Sequence, residues 1–245
     1  LDVKTGSGAL METLPDALAL AQTMVDIGKL ADKPVVAVIT SMAQPLGTHI
    51  GNALEVKDAI DVLAGRTQGD LLEISLLLGS HMLVLAEKAR TLPEARAMLE
   101  NALSSGAGLR KLAEMIAAQG GDPRVVEDLS LLPQAAVKRV MRAETAGYLS
   151  AMDTTALGMA AQRMGAGRAK KSDMLDYSVG YVLHVRLGDE VTEDTPLATL
   201  YARNEAEAEE AEKAIRKALT IAKEKPSVPP LWDAVVTAEG ITYNR

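Results

Sequence analysis

The chain has 245 residues, 48% hydrophobic and 24% charged, which is enough for one large or two smaller domains of a globular protein. Its formal net charge of −7 argues against a general surface for nucleic acid or anionic membranes, and no apolar stretch reaches the roughly 18 residues of a membrane span. The absence of cysteine excludes thiolate chemistry, disulfides and cysteine-based metal sites, and it is consistent with a cytoplasmic location.

The N-terminal region has the pattern of a strand, a helix and a second strand. The opening residues, LDVKTGSGAL, combine a short strand with a glycine-rich turn, and Thr13 with Pro15 marks the start of a helix. Residues 34–40, PVVAVIT, form a β-branched run without alternation, which is typical of a strand buried on both faces of a parallel sheet. This order predicts a βαβ unit.

A loop of unusual composition follows the second strand. Residues 40–56, TSMAQPLGTHIGNALEV, place a proline, two glycines, an asparagine and a histidine between an apolar run and a helix. Asn52 and Glu55 predict a capping box at the start of that helix. Further helices are predicted near residues 71–89, 92–103, 108–119 and 123–129. Loops of this composition commonly bind a ligand.

The pattern changes near residue 135. Two short strands, a helix ending in glycine, an antiparallel alternating stretch and a charged amphipathic helix are predicted in that order, over residues 136–153, 154–169, 177–202 and 204–225. We therefore predict an α/β domain over residues 1–135 and an α+β domain over residues 136–245.

Seven segments occur together in one order along nearly the whole chain: DVKTGSGALM, VDIGK, MAQPLGTHIGNALEVKDAI, LGSHM, AAQGGD, GAGRAKKSDMLDYSVGYVLH and LGDEV. In this combination the sequence resembles the pyrimidine-nucleoside phosphorylase and thymidine phosphorylase family. The resemblance implies the second half of an α/β domain with a mostly parallel sheet, followed by a barrel-sandwich-like α+β domain. It also implies a homodimeric pentosyltransferase.

The activity implied by the resemblance is reversible phosphorolysis. Inorganic phosphate, as co-substrate, cleaves uridine, thymidine or deoxyuridine to the free base and ribose or deoxyribose 1-phosphate. The family's chains are considerably longer and carry most of their catalytic residues upstream of the DVK segment. This chain also begins with Leu-Asp-Val-Lys rather than Met, so we expect a C-terminal portion that has no catalytic residue and no activity alone.

The resemblance further implies a potassium or calcium site in the loop. Carried over position by position, two main-chain carbonyl ligands fall on Leu46 and His49, and an acidic ligand falls on Asp58. Hard cations prefer oxygen ligands, and Pro45 and Gly47 are expected to turn the carbonyls inward. The family often has Glu at the position of Asp58. A tight strand-to-helix connection without a metal is the alternative.

By the same resemblance, the glycine-rich turn borders the pyrimidine pocket. Leu10 is then expected to pack against the base, with ordinary core packing as the alternative. Asp2 and Lys4 are expected either to shape that pocket or to pair with each other. His81 lies in a largely apolar helix and is predicted to be structural rather than catalytic.

Two other classes of function compete with this interpretation. The LGDEV region resembles the layout of biotinyl and lipoyl carrier domains, but its hairpin-like segments lack the lysine that such carriers modify. A phosphoribosyltransferase of the related fold is the second alternative, against which the β-rich C-terminal region argues. No class with a nucleic-acid or membrane partner is expected.

Overall fold

The computed structural model describes residues 1–244, which divide into two compact units built from separate stretches of the chain. The first unit contains Leu1–Ala43, Ala64–Gly108 and the residues from Pro229 onward. The second unit contains Gln44–Leu63 and Leu109–Val228. Because neither unit is continuous in sequence, a single boundary near residue 135 does not delimit them, and the predicted domain limits stay a prediction.

Eleven strands and seven α-helices lie within residues 1–244. The strands are β1 (Asp2–Thr5), β2 (Ala37–Ser41), β3 (His49–Ile50), β4 (Val137–Arg142), β5 (Gly147–Met152), β6 (Gly180–Leu183), β7 (Glu190–Val191), β8 (Pro196–Ala202), β9 (Leu219–Ala222), β10 (Trp232–Thr237) and β11 (Gly240–Tyr243). The helices are α1 (Leu14–Leu30), α2 (Asn52–Leu63), α3 (Asp70–Leu85), α4 (Leu92–Ser104), α5 (Ala107–Ala118), α6 (Thr154–Ala161) and α7 (Glu205–Ala218). Over residues 1–244, none of these helices combines the length and apolar character that a bilayer crossing requires.

The first unit is built on a four-stranded sheet of order β1-β2-β10-β11. β1 pairs with β2 in parallel, and α1 connects them, as the βαβ pattern predicts. The C-terminal strands add antiparallel pairs, β10 with β2 and β11 with β10. The predicted α/β class is confirmed. The sheet is not mostly parallel as predicted: among the described residues its parallel pair is β1–β2, because the C-terminal strands β10 and β11 join it in antiparallel pairs.

Small side chains let α1 pack closely on this sheet. Ala17 and Ala21 of α1 are fully buried in a cluster with Val3 of β1 and Ile39 of β2. The side chain of Thr13 accepts a hydrogen bond from the backbone N–H of Asp16, which caps the helix. The predicted start of α1 is therefore confirmed.

The second unit contains two antiparallel sheets, of order β3-β6-β8-β4 and β7-β5-β9. Its core includes fully buried Tyr181, whose hydroxyl donates to the Leu157 carbonyl at 2.8 Å. The strands and helix predicted over residues 136–202 are confirmed. The predicted helix over residues 204–225 ends earlier than expected, because Leu219–Ala222 leaves α7 and pairs with β5 as strand β9.

Candidate functional site

The loop before α2 is hydrogen-bonded to α2 itself. Asp58 of α2 is 4% exposed, and its Oδ2 accepts a hydrogen bond from the Thr48 N–H at 3.2 Å. Its Oδ1 lies 3.4 Å from His49 Nδ1, and that nitrogen is also 3.0 Å from Thr48 Oγ1. The structure therefore brings together His49 and Asp58, two of the three residues that the sequence analysis assigned to a cation site.

Asp58 retains its negative charge although it is buried. Burial by itself raises the pKa of a carboxyl group. Here the hydrogen bond and charge of His49, together with the backbone N–H groups of Thr48 and His49, outweigh burial and hold the pKa of Asp58 below its ordinary value. The loop is thus built around an ionised carboxylate at neutral pH.

The main chain of His49 faces this carboxylate. β3 is an edge strand, and the Thr48 carbonyl beside it accepts the N–H of Leu183 at 2.8 Å. In an antiparallel pair, successive residues direct their peptide groups to opposite sides. The peptide groups of His49 therefore point away from β6, and its backbone N–H contributes to the lowered pKa of Asp58.

A cationic side chain outside the predicted site also contacts the loop. Arg186 Nη1 donates to the Pro45 carbonyl at 2.6 Å and makes a longer contact of 3.4 Å to the Gly47 carbonyl. Arg186 Nη2 donates to the Leu46 carbonyl at 3.3 Å. Three consecutive carbonyl oxygens thus face one guanidinium, and one of them is the predicted cation ligand Leu46.

The backbone that carries Arg186 is itself fixed. The Arg186 N–H donates to Asp189 Oδ2 at 2.8 Å within the turn that precedes β7. The next N–H, of Leu187, donates to Gln44 Oε1 at 2.9 Å, so the turn and the loop are joined through backbone as well as side chain. No sequence pattern signals this contact, because Arg186 lies 141 residues beyond Pro45.

These oxygens have the chemistry that a hard cation requires. The carbonyl oxygens of Pro45 and Leu46 already face the positive charge of Arg186, and the ionised carboxylate of Asp58 accepts the Thr48 N–H of the same loop. Within residues 1–244, no cluster of three or more His, Asp or Glu side chains could hold a metal, so a cation here would depend on main-chain oxygens. The assignment of Leu46, His49 and Asp58 to a cation site stays a prediction.

The glycine-rich turn after β1 has a different character. Leu10 is 89% exposed and borders a cavity of about 270 Å³ formed by β1, the turn and α1. At one side of that cavity, Lys4 Nζ donates to Asp2 Oδ2 at 2.8 Å and to Thr40 Oγ1 at 3.0 Å. The predicted pairing of Asp2 with Lys4 is confirmed, and the contact of Leu10 with a substrate stays a prediction.

His81 of α3 is the third candidate. Its Nε2 is buried, and no hydrogen-bond partner for it lies in the part of the chain that the structure describes. Burial, with a smaller contribution from the amino-terminal charge, lowers the pKa of His81. A neutral imidazole in an apolar helix agrees with the predicted structural role.

Comparison with known proteins agrees with the resemblance. Residues 1–109 match the glycosyl transferase family, a/b domain, and residues 148–222 match the pyrimidine nucleoside phosphorylase C-terminal domain. The chain is 50% identical over 205 residues to the pyrimidine-nucleoside phosphorylases of Geobacillus stearothermophilus and Bacillus subtilis (strain 168), which is 84% of this chain and 47% of each relative.

The pyrimidine-nucleoside phosphorylase of Staphylococcus aureus (strain USA300) is 45% identical over 237 residues, 97% of this chain and 54% of the relative. The chain therefore spans about half the length of the curated relatives that it matches. Two consecutive family domains and this level of identity lead to one assignment. The chain belongs to the pyrimidine-nucleoside phosphorylase family.

Proposed function

We propose that the chain supplies part of the α/β domain and the C-terminal domain of a pentosyltransferase that cleaves pyrimidine nucleosides with inorganic phosphate. The observation that carries this proposal is the identity of 45–50% to proteins named pyrimidine-nucleoside phosphorylase, over 84–97% of the chain. The α/β sheet of the first unit and the antiparallel sheets of the second unit are consistent with it.

In this reaction a phosphate oxygen forms a bond to C1′ while the bond from C1′ to the base nitrogen breaks. The electron pair of that bond leaves with the base, which takes up a proton. The products are the free base and ribose or deoxyribose 1-phosphate. Such a displacement needs positioned reactants and donors for the departing base rather than a protein nucleophile. No residue of this chain is assigned a catalytic role.

Leu10 is proposed to contact the pyrimidine base. An apolar side chain that is 89% exposed beside a cavity leaves hydrophobic area available for a planar ring. The neighbouring Asp2–Lys4 pair supplies polar groups at the same cavity. Leu10 therefore binds substrate in this proposal and has no part in bond cleavage.

The loop before α2 is proposed to hold a potassium or calcium ion. Leu46 and His49 would supply carbonyl oxygens and Asp58 a carboxylate oxygen, in line with the low pKa of that carboxyl group and its place beside the loop. When bound, the cation supplies positive charge that fixes the loop. Leu46 and His49 would turn their carbonyl oxygens toward that charge.

The remaining parts of the proposal rest on the family resemblance and composition. We propose a homodimer and domain limits at residues 1–135 and 136–245. We also propose a cytoplasmic location, which the absence of cysteine supports. A biotinyl or lipoyl carrier is not favoured, because the matches cover both domains and name a phosphorylase.

The test is an assay of the purified 245-residue chain beside the same chain joined to the part of the Geobacillus stearothermophilus relative that it does not span. We expect no turnover of uridine, thymidine or deoxyuridine by the chain alone, and phosphate-dependent release of base by the joined protein. Turnover by the chain alone would contradict the assignment of the catalytic residues to the other part. Release of pyrophosphate from a phosphoribosyl donor, without phosphorolysis, would instead favour the related transferase class.

A further inference from the structure

We propose that the Arg186 guanidinium is a tethered cation of the loop: it fixes the carbonyls of residues 45–47 and competes with a free cation for the Leu46 oxygen. The first part rests only on the observed contacts. The second part rests on the cation site proposed above.

The carbonyl groups of residues 45–47 all point toward one side chain. Three consecutive oxygens, of Pro45, Leu46 and Gly47, lie within 2.6–3.4 Å of the two terminal nitrogens of one guanidinium. Converging carbonyl oxygens repel one another unless a positive charge lies between them. A guanidinium carries that charge together with several N–H donors in a fixed plane, so it can serve several oxygens at once.

Arg186 can perform this role because its own position is determined by contacts at both sides. Its N–H is bound by Asp189, and the turn is joined to β5 through the Gly188 N–H, which donates to the Leu149 carbonyl at 2.8 Å. Leu149 is fully buried. The guanidinium therefore reaches the loop from a rigid base, which lowers the conformational entropy that each contact costs.

Competition follows from the shared oxygen. The Leu46 carbonyl is the acceptor for Arg186 Nη2 and is also a proposed ligand of the free cation. A cation bound to this oxygen would lie close to the positive guanidinium, and the repulsion between the two charges favours loss of the 3.3 Å Leu46 contact, whereas the Pro45 contact at 2.6 Å can remain. Arg186 thus lowers the affinity of the loop for a free cation while keeping the loop ordered without one.

The first experiment measures hydrogen exchange at single amides, with choline chloride as the only salt. The Thr48 N–H, bonded to Asp58, and the Leu187 N–H, bonded to Gln44, report on the loop. The Ala208 N–H at the start of α7 is the internal reference. In Arg186→Gln we expect exchange at Thr48 and Leu187 to accelerate about tenfold, with Ala208 unchanged.

The matched control is Arg142→Gln. Arg142 Nη1 also donates to a loop carbonyl, that of Asp194 at 2.7 Å, but it does not contact the carbonyls of residues 45–47 in the structure. We expect wild-type exchange at Thr48 and Leu187 in this variant. Wild-type exchange in Arg186→Gln itself, or equal acceleration in both variants, would overturn the tethering role.

The second experiment titrates KCl or CaCl₂ at constant ionic strength and follows the same amides. We expect protection at Thr48 to reach half its maximum at about tenfold lower cation concentration in Arg186→Gln than in the wild type. An equal or higher half-saturating concentration would overturn the competition. If neither protein responds to either cation, the proposed cation site and the competition both fail, and the choline measurement alone decides the tethering role.

If Arg186→Gln does not fold, a second variant tests the same proposal. Arg186→Lys keeps the positive charge, but its single ammonium group cannot bridge the three carbonyls with the fixed geometry of a guanidinium. We expect it to fold, with exchange at Thr48 and Leu187 faster than in the wild type. Exchange equal to the wild type in this variant would overturn the proposal.

Discussion

Two connections in this chain run from a strand toward a helix and contain glycine, yet their structures differ. The turn after β1 is exposed and is stabilised by local contacts, such as the Gly6 N–H to the Glu12 carbonyl and the Thr13 cap of α1. The loop before α2 is stabilised by Asp58, ten residues from Thr48, and by Arg186, 141 residues from Pro45.

Because of this difference, the first connection presents an exposed side chain to a ligand and the second does not. The first connection leaves Leu10 89% exposed, and its backbone bonds are local, such as the one from the Ala9 N–H to the Gly6 carbonyl. In the second connection, backbone polar groups are bound by the buried carboxylate of Asp58 and the guanidinium of Arg186. We therefore expect substitutions in the second connection to cost stability and those in the first to affect substrate binding.

Substitution of Gly180 in β6, which passes close to the end of the second connection, should cost the most stability. Gly180 has φ +148°, and a Cβ atom there would lie 2.1 Å from the Ile50 carbonyl oxygen. We expect Gly180→Ala to lower the free energy of unfolding by about 4 kcal/mol, from backbone strain and overpacking together. Urea denaturation measures the loss.

Gly65→Ala is the matched control for that substitution. Gly65 also has a positive φ, +72°, but a Cβ atom there would meet nothing within 4 Å. The expected loss is about 1 kcal/mol, from the left-handed conformation alone. Equal losses for the two variants would show that the close approach of β3 and β6 contributes nothing.

The next effect contrasts Asp58 with Leu10 directly. Asp58→Ala removes the acceptor for the Thr48 N–H and the partner of His49 in a buried site, so we expect it to lower the free energy of unfolding by about 3 kcal/mol. Asp58→Glu, which keeps the charge, should cost less. Leu10→Ser should change stability by no more than about 0.5 kcal/mol, because the side chain is exposed.

In the joined protein described above, Leu10→Ser should instead raise the KM for the nucleoside. A loss of stability in Leu10→Ser comparable to that in Asp58→Ala would break the contrast between the two connections. Thermal and urea unfolding of the three variants, made side by side, provide the comparison.

The smallest effect extends the comparison to the histidines. His49 has two polar partners, whereas His81 Nε2 has none among the residues that the structure describes. Because burial lowers the pKa of His81 in the folded state, the unfolded chain binds more protons near pH 6. The stability that this group contributes is therefore complete above its unfolded pKa of about 6.5 and is lost as the pH falls below it.

His81→Gln should remove this part of the pH dependence. Between about pH 7.5 and pH 5.5, the free energy of unfolding of the wild type should fall more steeply than that of the variant, by at most about 1.4 kcal/mol per pH unit. Urea denaturation at a series of pH values gives both slopes. Identical slopes would contradict a lowered pKa of His81.

Local patterns in the sequence predicted most helices and strands, with errors where distant contacts intervene. The capping box at Asn52 and Glu55 is only partly correct: Glu55 Oε1 accepts the Gly51 N–H, while the Asn52 amide donates to the Ala166 carbonyl, 114 residues away. The predicted helix over residues 123–129 is replaced by two short 3₁₀ segments, each preceded by a capping aspartate. In both places a polar side chain could bind more than one backbone group, and the sequence does not show which one it binds.

Hydrophobic periodicity and capping residues predicted the α/β class and the βαβ order of β1, α1 and β2, because both are local properties of the chain. The order of the seven segments indicated the family. The family resemblance, rather than a local pattern, indicated that the loop before α2 and Asp58 belong together. The contacts of the loop carbonyls with Arg186, and the place of β10 and β11 in the first sheet, emerge only in the folded protein. Long-range hydrogen bonds of this kind depend on where the folded backbone brings donors and acceptors, and no spacing along the sequence records that.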